Sequence, residues 1–259
     1  MIELQEYPAA SHLLIGRRAV ITAAAGTGIG FATAKRFAEE GASIVVSDRH
    51  ERRLSEAADR LRSIATGEGA VHAVACDVTR VEDVERLFAE SSELLGELDV
   101  VVNNAGLGHT SEVVDTRDED WLRVLDITLN GTFRCLRAAM PRMARGGSIV
   151  NVGSVTAHRA ERGQSAYAAA KAGVHALTRC AALEAAEHEV RVNAVVPTLA
   201  VHEFIEKVAD PEHLDAMRSL QPQQRAAQPW EIANVIVFLA SDLSSYLTGE
   251  CLSASSQKP

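Results

Sequence analysis

The chain has 259 residues, 47% hydrophobic and 24% charged, a balance that excludes a disordered state and suits one large α/β unit. Twenty-six basic residues against thirty-five acidic ones leave a net charge of −9, a sign that repels phosphate backbones and excludes nucleic acid as an expected partner. No apolar run approaches the ~18 residues of a membrane span, and residues 1–6 carry acids where a secretory signal carries bases. The four cysteines, Cys76, Cys135, Cys180 and Cys251, are dispersed and form no C-x-x-C pair. Buried free thiols, no metal site, no membrane and a cytoplasmic location are therefore expected.

Residues 1–15 are expected to form a loosely held N-terminal arm, and residues 16–259 a single domain, because no repeat, linker or low-complexity tract divides them. Short β-branched runs at 19–22, 43–47, 70–75, 98–102, 148–152 and 190–196 alternate with longer helical stretches. That alternation predicts a doubly wound α/β fold with a mostly parallel sheet between two helical layers. Continuous apolar strands such as Val100-Val101-Val102 suit a sheet covered on both faces. Gly41 is placed to end the first helix. Thr79-Arg80-Val81-Glu82 and Thr116-Arg117-Asp118-Glu119 have the pattern of capping boxes. The alanine-rich stretch 166–187 and the stretch 121–143 carry apolar residues beyond what one sheet face covers, which predicts a homodimer or homotetramer. Residues 198–227 break the rhythm and are expected to form a flexible lid over a substrate.

The first strand runs into Thr22-Ala23-Ala24-Ala25-Gly26-Thr27-Gly28-Ile29-Gly30 and then a helix. Glycines between a first strand and a first helix let backbone approach a pyrophosphate, with the helix N-terminus facing its charge. Asp48 ends the second strand, 18 residues after Gly30, where a carboxylate can accept hydrogen bonds from both hydroxyls of an adenosine ribose. It would repel a 2′-phosphate, so NAD is favoured over NADP; Arg49, adjacent, is the residue that could offset this. Tyr167 and Lys171 lie four residues apart, on one helix face. A cation there would lower a phenol's pKa toward the working pH, making Tyr167 a candidate acid/base. Ser154, thirteen residues upstream, could hold the substrate oxygen.

With these residues the chain resembles the short-chain dehydrogenases/reductases over nearly its whole length, through Gly26 to Gly30, Asp48, Cys76-Asp77-Val78, Asn103-Asn104-Ala105-Gly106, Ser154 with Tyr167 and Lys171, Arg191-Val192-Asn193-Ala194 and Leu247-Thr248-Gly249. The resemblance implies a single Rossmann-type domain with a seven-stranded sheet, a nicotinamide cofactor and a secondary alcohol or ketone as substrate. It implies that Asp77 and Val78 flank the adenine, that Asn104, Ala105 and Gly106 line the ribose, and that Pro197 also meets the cofactor. Tyr167 would be the acid/base, Lys171 its ribose-binding electrostatic partner and Ser154 the substrate-orienting hydroxyl.

The chain also departs from the family pattern. Ala23 replaces the first glycine of T-G-x-x-x-G-x-G, and Gly28 and Gly30 fall one residue late. Thr128 occupies the place of a fourth catalytic residue, an asparagine that holds a water in a proton relay, while Asn130 lies two positions further on. Through Ala23 to Gly30, Asp48-Arg49-His50-Glu51-Arg52-Arg53-Leu54 and the ending Ser255-Ser256-Gln257, the chain also resembles, over a smaller set of features, dehydrogenases acting on CoA thioesters of the last steroid rings, the hydroxy-methyl-hexahydroindanone type. A general 3-oxoacyl reductase is the alternative substrate reading. A cofactor-binding scaffold without catalysis is the alternative of another class. His158, Arg159, Arg162 and the lid residues Leu199, Val201, His202, Phe204, Ile205 and Val208 are candidates for the substrate side, with the arginines facing a CoA phosphate.

Overall fold

The computed structural model describes residues 6–159, 161–201 and 211–255. Seven strands form one sheet: β1 (Arg18–Ile21), β2 (Ser43–Asp48), β3 (Val71–Ala75), β4 (Leu98–Asn103), β5 (Met143–Val152), β6 (Arg191–Pro197) and β7 (Cys251–Ala254). They pair in parallel throughout, in the order β3-β2-β1-β4-β5-β6-β7. The α-helices among the described residues are α1 (Ile29–Glu39), α2 (Glu51–Arg62), α3 (Val81–Leu95), α4 (Asp118–Leu125), α5 (Gly131–Ala139), α6 (Ser165–Ala185), α7 (Pro211–Ser219) and α8 (Pro229–Ala240). The apolar strands divide their side chains between two cores. Ile21, Ile44, Val46, Val100 and Val102 pack toward α1, α2 and α8. Val20, Val45, Val101 and Ile149 pack toward α3, α5 and α6. Gly41, at φ +90°, turns the chain out of α1 as expected.

Several local expectations are corrected. Neither capping box forms: α3 and α4 start from Arg80 and Arg117, without a side-chain cap. Thr79 Oγ1 donates instead to Asp77 Oδ1 at 2.8 Å, and Thr116 Oγ1 to the Glu112 carbonyl at 2.8 Å. Side-chain acceptors and carbonyls just upstream compete successfully for these hydroxyls. Strand β5 begins at Met143, not residue 148, and its register on β4 shifts between Leu98 and Val100. The stretch 121–143 is not one helix, since a π-helical turn, Asp126–Asn130, joins α4 to α5. Cys76 and Cys135 are buried thiols, but Cys180 is exposed and Cys251 half-buried.

The arm is tied down rather than loose. Glu40 is fully buried and accepts the peptide N–H groups of Ser11 and Leu13, the latter at 2.9 Å. Arg36 Nη2 donates to the same carboxylate at 2.5 Å, and Arg36 Nη1 to the Pro8 carbonyl at 3.1 Å. Tyr7 sits edge-on to Trp230 of α8, with ring centroids 5.5 Å apart. The lid is likewise structured where it is described. Leu199 and Val201 exchange backbone hydrogen bonds with Ala227, and α7 lies between them. Val201, Leu214 and Ala226 bury one another with Leu199, so these side chains pack within the segment rather than facing a substrate. His202, Phe204, Ile205 and Val208 lie outside the described residues. Glu40→Ala removes the acceptor of Arg36 Nη2 and of two amides, while Arg36 Nη1 keeps Glu39 and the Pro8 carbonyl, and should cost about 1–3 kcal/mol. Urea denaturation checks this, and an unchanged midpoint would show that the arm contributes nothing.

Candidate active site

In this strand order the connections from β1 and β4 leave in opposite directions, which opens a crevice at their C-terminal ends. The chain after β1 enters it through Ala23, at φ +52°, a conformation that favours glycine. The Ala24 amide donates to the Ser47 carbonyl at 2.9 Å. Gly30, in the first turn of α1, lies so close to the neighbouring loop that a Cβ there would fall 2.4 Å from both the Ala23 carbonyl and Asn104 Nδ2. Asn104 Nδ2 donates to the Thr22 and Ala23 carbonyls at 3.2 and 3.0 Å, so this side chain holds the turn rather than reaching into the crevice. Gly28, the N-cap of α1, offers no side-chain acceptor to the amides of the first turn.

Beside this turn is a cavity of about 460 Å³. Asp48, Arg49, Asp77, Val78, Ala105 and Gly106, each expected from sequence to meet a cofactor, line it together. His50, Arg53, Cys76, Leu107 and Ile127 also line it and were not singled out from sequence; their signal was only adjacency to the motifs. Gly26, Thr27, Gly28, Ile29 and Gly30 form the adjoining turn and helix start. Asp48 Oδ1 accepts the His50 amide at 3.0 Å and Oδ2 the Ala25 amide at 3.4 Å. Asp77 Oδ1 accepts the amide and hydroxyl of Thr79, fixing the loop after β3. Pro197 is buried at the end of β6, beyond β5, and is not part of this cavity.

The glycine approach, the uncapped helix start and the adjacent cavity together fit a nucleotide. Gly106 leads from the cavity to Lys171, whose Nζ would stand 3.4 Å from a Cβ placed there. Lys171 is buried, and its Nζ donates to the Val152 carbonyl at 2.5 Å. It sits 5.6 Å from the centroid of the Tyr167 ring. Burial lowers the Lys171 pKa to about 8. The Tyr167 phenol is pushed above its ordinary 10, by burial first, against a hydrogen bond with Ser154 that pulls it down. The net direction is opposite to the one expected beside a cation: in the protein alone, desolvation outweighs the stabilisation of the phenolate. Ser154 follows β5, and its Oγ lies 2.9 Å from Thr156 Oγ1 and accepts the Thr156 amide at 3.2 Å.

Thr128 is buried in the π-helical turn. Its hydroxyl accepts the Leu107 amide at 3.0 Å and faces the Leu107 carbonyl at 3.5 Å, while its own carbonyl accepts the Thr132 hydroxyl at 2.8 Å. Thr128 therefore braces the loop that carries Gly106. Asn130 is exposed and donates to Asp126 Oδ1 at 3.2 Å, outside the site. On the substrate side, loop 107–115 is stitched to loop 161–164 by Ser111 to the Gly163 carbonyl at 2.9 Å and Gln164 to Thr110 at 3.0 Å. Arg162 Nε donates to Glu112 at 2.6 Å, which engages the charge that was expected to face a phosphate.

A protein-family profile described as enoyl-(acyl carrier protein) reductase matches residues 23–256. The chain belongs to the short-chain dehydrogenase/reductase family. It is 53% identical over 250 residues, 95% of each chain, to the (5R,7aS)-5-hydroxy-7a-methyl-1-oxo-2,3,5,6,7,7a-hexahydro-1H-indene-carboxyl-CoA reductase of Mycobacterium tuberculosis. It is 38% identical over 242 residues, 92% of this chain and 96% of the relative, to the 3-oxoacyl-(acyl-carrier-protein) reductase FabG of Thermotoga maritima. A crystal structure of a short chain dehydrogenase from Mycobacterium smegmatis superposes with a TM-score of 0.88, at 49% identity and 99% coverage of both chains. The protein is thus an oxidoreductase on a Rossmann fold, and that fold implies a nicotinamide cofactor.

The folded-state pKa of Lys171 lies below its ordinary value of 10.5. Burying the charge therefore costs stability below about pH 8, and the cost fades as pH rises toward 10.5. Lys171→Met removes the charge and keeps the stem, and should raise the unfolding free energy at neutral pH by about 1–3 kcal/mol, with a gain that shrinks in alkali. Denaturant titrations across pH check this. A variant less stable than the wild type at neutral pH would contradict it.

Proposed function

We propose that the protein reduces a ketone to a secondary alcohol on a ring-bearing acyl-CoA, using NADH, with Ser154, Tyr167 and Lys171 as the catalytic groups. The observation that carries this is the convergence of these three side chains at the end of β5, with Gly106 joining them to the cavity beside the glycine turn. A nicotinamide cofactor, when bound, supplies the hydride. Asp48, Asp77, Val78, Gly106 and the turn from Gly26 to Gly30 would hold it. Ser154 Oγ orients the substrate carbonyl, and the Tyr167 hydroxyl gives its proton to the carbonyl oxygen. A phenol is protonated at neutral pH, so Tyr167 can act as the proton donor in the reductive direction. Lys171, the adjacent buried cation, stabilises the phenolate that results. The ring-bearing CoA ester is favoured over a short 3-oxoacyl ester because the relative so named matches at 53%, against 38% for the 3-oxoacyl reductase.

Asp48 in the cavity wall disfavours a 2′-phosphate, although Arg49, His50 and Arg53 line the same wall. NADH should bind about tenfold or more tightly than NADPH, equivalent to 1–2 kcal/mol. Equal dissociation constants by titration would show that the cations offset the carboxylate. We also propose self-association through the faces of α4, α5 and α6 that leave Leu122, Phe133 and Leu183 exposed.

Tyr167→Phe should keep NADH affinity and lose about 10²- to 10⁴-fold in turnover. Near-normal turnover would remove Tyr167 from the mechanism. The wild type assayed on a ring-bearing oxoacyl-CoA and on acetoacetyl-CoA should prefer the former. The reverse order would make it a general 3-oxoacyl reductase, and no turnover on either would favour a cofactor-binding scaffold.

A further inference from the structure

One turn beyond Lys171, α6 carries a second buried base that no step above uses. His175 is only 2% exposed. Its Nε2 accepts the peptide N–H of Ser154 at 3.4 Å. The preceding amide, that of Gly153, donates to the Val195 carbonyl at 2.8 Å and so continues the β5–β6 ladder. The Ser154 amide has left that ladder, and His175 is the acceptor that meets it.

Two further contacts bracket the serine. A Cβ on residue 153 would fall 2.3 Å from His175 Nε2, so the imidazole and a glycine at that position require each other. On the other side, Ser154 opens the 3-10 turn Val155–Ala157 and His158 closes it. The His158 ring lies on His175 with centroids 4.7 Å apart and planes tilted by 38°. The His175 ring thus touches the chain before, at and after Ser154. At 3.4 Å the hydrogen bond is long, so the constraint is steric as well as electrostatic.

An apolar side chain could fill this space more cheaply. Nδ1 of His175 is buried and has no hydrogen-bond partner among the described residues, which is a cost that leucine or isoleucine would not incur. The ring nitrogen facing Ser154 is what an apolar residue cannot supply. Accepting through Nε2 requires the neutral ring with its proton on Nδ1. Burial, then His158, Lys171 and Arg179, push the His175 pKa down to about 4, which keeps the ring neutral.

We propose that His175 is a positioning residue for the reaction, fixing the peptide on both sides of Ser154 so that the serine hydroxyl and Tyr167 meet one substrate oxygen. The proposal rests on Ser154 being the orienting hydroxyl. The test compares His175→Leu, His175→Gln and Ser154→Ala with acetoacetyl-CoA and NADH as probes. His175→Leu, which has no acceptor, should lower kcat by about 10- to 100-fold, the scale expected when a reacting group is misplaced, with KM and the NADH dissociation constant little changed. His175→Gln, which keeps an acceptor near the place of Nε2, should retain most of the turnover. Normal kcat in the leucine variant, or equal losses in both, overturns the proposal. Activity retained in Ser154→Ala would instead overturn the reading of the site itself. A further readout needs no variant: the ¹⁵N spectrum of the wild-type histidines at neutral pH should show His175 protonated on Nδ1 alone. A proton on Nε2 overturns the proposal, because that nitrogen could not then accept from Ser154.

Discussion

The site is organised around a buried ammonium. Lys171 Nζ has one hydrogen-bond acceptor among the described residues, the Val152 carbonyl at the end of β5. A cation held there with so little compensation lowers its own pKa and costs stability. The contact joins α6 to the strand end from which Ser154 leaves. It also places a positive charge beneath the loop of Gly106, where that loop meets the nucleotide cavity. A group that is expensive to bury and close to both a phenol and the cavity beside the glycine turn is a candidate for chemistry rather than packing.

The surrounding fold supplies the framework for that charge. The parallel sheet brings all strand C-termini to one edge, so the turn after β1, the loop after β4 and the serine after β5 face one crevice. Close approach holds them in register. Gly30 leaves no room for a side chain against Ala23 and Asn104, and Asn104 ties the β1 and β4 loops through two carbonyls. Thr128 fastens the next part of the β4 loop to the π-helical turn through Leu107. This gives the threonine at this position a structural role: its hydroxyl is engaged with the backbone of Leu107.

The strands were legible because their apolar residues run continuously, and the glycine turn, Asp48 and the Ser154, Tyr167 and Lys171 spacing pointed to the candidate site. What escaped depended on competition between neighbours. Thr79 and Thr116 had the right spacing to cap helices, but Asp77 and the Glu112 carbonyl took their hydroxyls. Glu40 looks like any surface acid in sequence, and only the fold shows it buried under the arm. The direction of the Tyr167 shift was misjudged because spacing reveals a nearby cation but not how deeply the phenol is desolvated. His175 carried no motif at all, and its contact with Ser154 depends on β5 and α6 meeting in space.

The central claim, a catalytic cation held in a desolvated site, can be tested directly by titrating ¹³C-labelled lysine side chains by NMR. The chain has only four lysines, so the Lys171 signal can be assigned by its loss in Lys171→Met. In the cofactor-free protein the account predicts a midpoint of about 8 for Lys171. A midpoint at the ordinary 10.5 would show that the ammonium is not desolvated, and would contradict the account at its base.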